Sequence, residues 1–185
     1  MTALDRQANL LGALALVIAD QSAQAAAAAT GQSVSAAAAL SALHHFLDRP
    51  TLDELHKVLG LTPSGVVRLV DRLADAGLVM RGTGDDGRSR SVVLTDAGER
   101  AAQQVTAARA ALLASVLDEL SPAERQTLHA LMSRIMASVV RGKEGGAWIC
   151  RLCDLEACGR ASGHCPAANA AAAKHATQNG TSKSR

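Results

Sequence analysis

Whatever core this chain builds, it builds almost without aromatic rings. Its 185 residues include no tyrosine, one phenylalanine (Phe46) and one tryptophan (Trp148), although 48% of them are hydrophobic. Leu, Val, Ile and Ala must fill the interior. Ala and Leu lose little freedom in a helix and let helices approach closely. A small core without rings also gains from apolar burial between subunits. The expectation is a mostly helical protein that dimerises, long enough for one globular domain and an appendage.

The net charge of +2 is too small to indicate nucleic acid by itself, so the placement of individual arginines has to carry that case. Near the start, residues 10–19 form an apolar run, and Ala23-Gln24-Ala25 after it looks like a signal-peptidase site. Against a leader peptide, Asp5 offsets Arg6 and Gly12 interrupts the run; the same residues read as an amphipathic helix. No stretch reads as about 18 uncharged apolar residues of a membrane span. The expectation is a soluble cytoplasmic protein without a membrane partner. In that compartment thiols stay reduced, and clustered cysteines indicate metal or redox chemistry before structural disulfides.

Local signals divide the chain. Residues 3–29 read as a first helix, broken at Gly31-Gln32-Ser33. Ser33 or Ser35 caps a second, running through Leu47 and stopped by Arg49-Pro50. Thr51 with Glu54 has capping-box spacing for a helix over 52–59, ended by Gly60. Thr62 and Pro63 start another over 63–76, with Val66, Leu69, Val70 and Leu73 as its buried stripe and Gly77 after it. Residues 78–81 and 91–94 read as two short strands around a hairpin at 82–90, with Asp86-Gly87 at its tip. Thr95 caps a helix over 96–120, and Ser121-Pro122 with Glu124 starts one that runs to about Val140. Residues 142–146 read as a flexible joint. The tail from about Ala171, rich in Ala, Ser and Lys, reads as disordered.

Two short helices joined by a tight turn and followed by a β-hairpin make a winged helix-turn-helix. On the second helix of the pair, the apolar stripe leaves Ser64, Gly65, Arg68 and Arg72 on other faces. Ser64 and Arg68 suit base edges in a major groove, while Thr62 and Arg72 suit the phosphate backbone, which positions without specifying sequence. Exposed N–H groups at the helix start, Gly65 among them, suit phosphate. Arg88 and Arg90 alternate on a glycine-rich loop, as required of side chains that enter a narrow minor groove. Asp85 and Asp86 have the wrong sign to face DNA and suit holding an arginine or a neighbouring backbone in place.

The run Leu61-Thr62-Pro63-Ser64-Gly65-Val66-Val67-Arg68-Leu69-Val70-Asp71-Arg72-Leu73 is followed by Gly77-Leu78-Val79, Asp86-Gly87-Arg88-Ser89 and Leu94-Thr95-Asp96-Ala97-Gly98. In order and spacing it resembles the MarR family over about residues 5–140. The resemblance implies a homodimer, built by the first and last two helices, that usually represses transcription from a palindromic DNA site. It implies that Arg88 enters the minor groove with Asp86 supporting it, and that a small ligand can bind between the dimer and DNA-binding regions. The fold class expected is mainly α, a winged helix-turn-helix with long dimerisation helices and a short β-hairpin wing. Its parts are a dimerisation helix (1–35), the DNA-binding domain (36–100), dimerisation helices (101–141), a cysteine-rich module (147–168) and the tail (171–185).

All four cysteines fall in the module: Cys150, Cys153, Cys158 and Cys165, followed by Pro166, spaced C-x2-C-x4-C-x6-C-P. Four thiolates in one short segment can surround one ion or cluster, and Gly159, Gly163 and Pro166 let the chain wrap around it. Among Arg151, Asp154, Glu156 and Arg160, four cysteines are not all core packing. The favoured occupant is an iron–sulfur cluster, because a trailing Cys-Pro is seen in ferredoxin-type runs and a redox-active centre beside the dimer helices suits a sensor. The layout is loosely similar to the cluster-binding tails of SoxR-type regulators, with different spacings. Zinc, as a structural ion, and a metal-free thiol–disulfide switch are the alternatives.

Remaining candidates are weaker. His44 or His45 can line a ligand pocket, although a partly buried, hydrogen-bonded histidine is the plainer reading, as for His56 and His129. His164 can replace a cysteine ligand, and Trp148 suits packing on the module. The chain has no Gly-rich nucleotide loop, Ser-His-Asp set or catalytic carboxylate pair in a suitable context, so an enzyme is not expected.

Overall fold

The computed structural model describes residues 2–83, 90–142 and 147–182. Its order is α1 (Ala3–Thr30), α2 (Val34–His45), α3 (Leu52–Leu59), α4 (Pro63–Asp75), β1 (Val79–Thr83), β2 (Arg90–Leu94), α5 (Asp96–Leu117), α6 (Pro122–Gly142), α7 (Ala147–Cys150) and α8 (Pro166–Ser182). The protein is mainly helical with one two-stranded antiparallel sheet, as the sequence leads one to expect.

Helix starts follow side-chain chemistry. In α3 the Thr51 hydroxyl accepts from the Glu54 N–H at 3.3 Å, and the Glu54 carboxylate accepts from the Thr51 N–H at 2.8 Å. These bonds satisfy donors that have no partner within the helix. Thr62, Ser33 and Thr95 cap α4, α2 and α5 in the same way, and Thr2 with Asp5 forms a second capping box at α1. α4 ends where Gly77, at φ 70°, turns left-handed and the Leu78 N–H reaches back to the Leu73 carbonyl at 2.9 Å. That closure keeps Leu78 out of β1.

The core is aliphatic. Leu40, Leu55, Val66, Leu69, Val70, Leu73, Val79 and Val92 form one buried cluster with alanines of α2 and α5. α1 packs on α5 and α2, and α2 packs on α5, so the region from α2 to β2 is continuous with the long helices α1 and α5. In the sheet Val79 pairs with Leu94 and Thr83 with Arg90. Both strands thus extend toward the hairpin tip beyond the 78–81 and 91–94 expected from composition. Gly82 pairs opposite Ser91, because ladder hydrogen bonds depend on backbone and tolerate a residue that composition reads as a breaker.

Three other expectations are revised. Of the tail read as disordered from Ala171, residues 171–182 are instead part of α8, which packs along α6, and residues 183–185 lie outside the described residues. An alanine-rich run carries the same composition whether disordered or helical; here Pro166 sits at the helix start, and Ala170 is buried. α5 ends at Leu117, three residues short of the expected end. α1 is, by length and composition alone, apolar enough to cross a membrane. Its alanines raise the average hydropathy although the helix includes Gln, Ser and Asp, and its inner side packs on α5. Of the expected joint at 142–146, residues 143–146 lie outside the described residues.

Candidate nucleic-acid interface and cysteine module

The reading head is built around α4. Val66, Leu69, Val70 and Leu73 are buried, and that single stripe turns Thr62, Ser64, Arg68 and Arg72 outward. The Thr62 hydroxyl accepts from the Gly65 N–H at 3.1 Å and lies 3.4 Å from the Ser64 hydroxyl. A Cβ on Gly65 would stand 3.0 Å from that Thr62 oxygen, so the cap favours the smallest residue there. Arg68 Nε donates to the Ser64 carbonyl at 3.4 Å, and Arg72 Nε donates to the Arg68 carbonyl at 3.2 Å. These side chains fold back over one exposed face, so Ser64, Arg68 and Arg72 form a row one turn apart.

Contacts distant in sequence hold α4 against the wing. Asp71, on the exposed side of α4, forms an ion pair with Arg81 of β1. At the wing base the Val92 N–H donates to the Pro50 carbonyl at 3.0 Å, and Thr51 and Ser91 form a bridge. The α5 start is pinned too: the Thr95 hydroxyl donates to the Gly77 carbonyl at 2.7 Å, and the Thr95 N–H donates to the Leu78 carbonyl at 3.1 Å. Sequence reasoning missed Asp71 and Arg81, whose partnership has no local spacing signature. Arg90 opens β2, while Asp85, Asp86 and Arg88, expected at the wing tip, lie outside the described residues.

The expected histidine roles resolve into ordinary partnerships. His44 Nδ1 is 2.6 Å from Glu99, His45 Nε2 is 2.9 Å from the Thr106 hydroxyl, and His56 bridges Asp53 and the Leu61 carbonyl. A cleft of about 720 Å³ lies between α1, α2, the end of α3, α5 and the cysteine module, but neither His44 nor His45 lines it. Leu14, Ile18, Val34 and Leu152 give it apolar walls, Arg109 and Arg151 contribute cations, and Asp20 contributes a carboxylate.

Beyond α7 the chain folds as successive turns. The Cys153 N–H donates to the Cys150 carbonyl at 2.8 Å, and Asp154 Oδ1 accepts from the N–H groups of Glu156 (2.9 Å) and Ala157 (3.1 Å). Gly159 and Gly163, at φ 64° and 75°, make the left-handed bends expected of them. All four cysteines are free, and Cys150 and Cys165 are buried. The Cys153 thiol donates to the Ile149 carbonyl at 3.7 Å and the Cys158 thiol to the Leu155 carbonyl at 3.5 Å. Neighbouring Cys153 brings the Cys150 thiol down to about 6 against the opposing effect of burial, helped by Arg160, whose Nη1 is 3.6 Å from the sulfur. The proximity of Cys150, together with burial, pushes Cys153 up. Burial is the first cause that raises Cys158.

The donor chemistry therefore suits a thiophilic metal: four reduced thiols, two of them buried, beside Arg160 and Arg109. Among the described residues no three of His, Cys, Asp and Glu converge as a ready ligand set. His164 is exposed and its Nδ1 is 3.0 Å from the Ser162 hydroxyl, away from the role of a substitute ligand.

Helix, turn, reading helix and hairpin together define a winged helix-turn-helix. Residues 30–89 match the MarR family. Among solved structures, the protein is similar to RV1404 from Mycobacterium tuberculosis, with 25% identity over 75% of this chain and 95% of that one and a TM-score of 0.62. MepR, a transcription regulator of the Staphylococcus aureus multidrug efflux pump MepA, matches at 18% identity over 75% and 99%, with a TM-score of 0.63. A mutant of MepR bound to an oligodeoxyribonucleotide matches at 18% over 72% and 97%, with a TM-score of 0.54. Residues 30–89 are thus similar to the MarR family, and the fold around them is that of winged-helix proteins. These neighbours are matched almost end to end, whereas about a quarter of this chain has no counterpart in them.

Proposed function

We propose that this protein is a homodimeric, sequence-specific DNA-binding regulator of transcription, most simply a cytoplasmic repressor at a palindromic operator, and not an enzyme. The observation that carries the reading is the outward row of Ser64, Arg68 and Arg72 on a helix whose opposite face is locked into the core. Ser64 and Arg68 read base edges in the major groove, Thr62 and Arg72 hold phosphates while Gly65 lets the backbone approach closely, and the wing arginines Arg88 and Arg90 enter the minor groove with Asp86 in support. The oligodeoxyribonucleotide complex of a MepR mutant supports the assignment. Exposed Leu10, Leu14 and Val17 on α1 and Leu131, Ile135 and Val139 on α6 give the scaffold an apolar surface suited to a second copy.

The finer part of the proposal is that operator binding responds to an inorganic centre held by Cys150, Cys153, Cys158 and Cys165. An iron–sulfur cluster would bring redox sensitivity and zinc a redox-inert clamp. Four free thiols in one short segment also support a metal-free switch in which a hydroperoxide oxidises two of them to a disulfide and is itself reduced to alcohol and water. A separate reading, a small aromatic or phenolic effector with the cysteines holding a structural zinc, is favoured by the largely apolar cleft that Arg109, Arg151 and Asp20 also line.

The test begins with an operator selected in vitro. Arg68→Ala should lose about 1–3 kcal/mol and relax the preference at one base position. Arg72→Ala should weaken binding uniformly and flatten the salt dependence by about one unit. Equal affinity of wild type and both variants for the selected site would defeat the reading. Absorption spectra with iron, sulfide and zinc counts on protein purified without oxygen decide among the centres.

A further inference from the structure

The cysteine segment is docked on the part of the molecule that reads DNA. α7 lies against α3, the helix preceding the reading helix. Two residues after α7, Leu152 packs against Ala26 of α1, Ala37 of α2 and Val105 of α5. Within residues 147–154 the chain therefore meets the reading head and the long scaffold at once. Leu152, Cys153 and Cys158 also form one wall of a cleft of about 490 Å³, whose other walls are α5 and Met132 of α6. Arg109 of α5 faces that cleft as well, and its buried Nε finds no acceptor among the described residues.

In a dimeric helix-turn-helix protein, operator affinity depends on the separation of two reading helices, which must match half-sites one helical turn apart. The head here is continuous with the scaffold through α2 and α5. The α7–α3 and Leu152 contacts add a third attachment, made from the far end of α6. The segment that makes it has little apolar interior of its own; backbone turns hold it. Its four free thiols do not converge on one point, so gathering them around a single centre requires the segment to change shape, whereas the aliphatic head has no such dependence.

We infer that residues 147–165 form a strut fixing the reading head against the dimer scaffold, and that capture of its four thiols by a thiophilic metal centre is read out as a change in operator affinity through α7–α3 and Leu152. This rests on the DNA-regulator reading above and names how that site is regulated. No residue of the strut has to touch DNA. A ligand at the thiols acts only through its different affinity for two head positions, and couplings of this kind typically span about 5–150-fold.

The experiment uses the full chain, reduced, as wild type, Leu152→Ala and Leu152→Glu. Each is measured metal-free, loaded with zinc alone, and reconstituted anaerobically with iron and sulfide. The readouts are metal content, operator affinity by anisotropy, and amide exchange of α3. Loading should change the wild-type operator affinity about tenfold or more. Both variants should keep their metal, bring that ratio to within about twofold, and exchange the amides of residues 52–59 faster. Leu152→Ala, which removes bulk without adding charge, guards against a variant that merely unfolds.

Wild-type affinity and ratio retained in both variants, with α3 protection unchanged, would overturn the strut. A wild type that binds neither zinc nor iron, or binds DNA equally with and without metal, would overturn the readout. Failure of the regulator reading looks different: no site is selected, and Arg68→Ala changes nothing, while amide exchange still reports whether Leu152 braces α3.

Discussion

The reading head and the cysteine module are held together by different physics. In the head, a ring-free aliphatic cluster takes one stripe from each helix, and side-chain caps satisfy the helix ends. Its geometry is the sum of apolar burial and close approach, so it persists whatever the redox state of its surroundings. The module has turns, glycine bends and four free thiols, with Leu152 seated in a neighbouring cluster. A small segment with so little interior needs an outside constraint, from metal, sulfur chemistry or docking. On the proposed function, the contrast gives constancy to the part that would read DNA and responsiveness to the part that would adjust it.

The sharpest way to break the head is at its tightest approach. A Cβ on Gly98 would lie 1.9 Å from the Leu78 carbonyl oxygen, which already accepts the Thr95 N–H. Neither backbone can yield without undoing the α5 cap. Gly98→Ala should cost about 3 kcal/mol in urea unfolding and weaken operator binding in parallel. Normal stability in that variant would mean that the α5 start is looser than described. A milder lesion in the same region is Thr51→Ala, which removes the α3 cap and should cost about 1 kcal/mol by the same measurement.

Cys150→Ser with Cys165→Ser probes the other side of the contrast. Head unfolding should stay within about 0.5 kcal/mol of wild type, since neither residue belongs to the aliphatic cluster. Metal retained after purification should fall to background. Cooperative loss of the head in this variant would erase the distinction between the two regions.

What could be read from sequence divides along the same line. Caps, helix stops and the exposed row on α4 were legible because each depends on residues within one or two turns: Thr51 with Glu54, Thr62 with Pro63, Gly77 after Leu73. The cysteine spacing was legible as a unit for the same reason. The Asp71–Arg81 pair, the Val92–Pro50 bond and the seat of Leu152 join residues that no local pattern relates. Helix α8 stayed hidden because alanine content alone does not distinguish a helix that packs on α6 from a solvated tail. The location of the module against α3 was likewise invisible, and it bears most on regulation.

The smallest expected effect measures the contact between the two regions directly. His45 of α2 is held below its usual pKa of 6.5, first by burial and then by neighbouring His44, while the charge of Asp154 in the module acts the other way. Its ring is 2.9 Å from the Thr106 hydroxyl. Because the folded state protonates less readily than the unfolded one, His45 costs no stability above its unfolded pKa. The cost appears as pH falls through 6.5 toward the folded value, since the unfolded chain then binds more protons. Stability should therefore decline on acidification across that window, and His45→Gln should flatten the slope. Asp154→Asn removes the opposing charge, so NMR titration of His45 should give a still lower pKa, and the slope should extend further into acid. An unchanged His45 titration in Asp154→Asn would mean that the module does not sit against α2 in solution. The head would keep its structure, but the proposed route from thiols to DNA would lose its first contact.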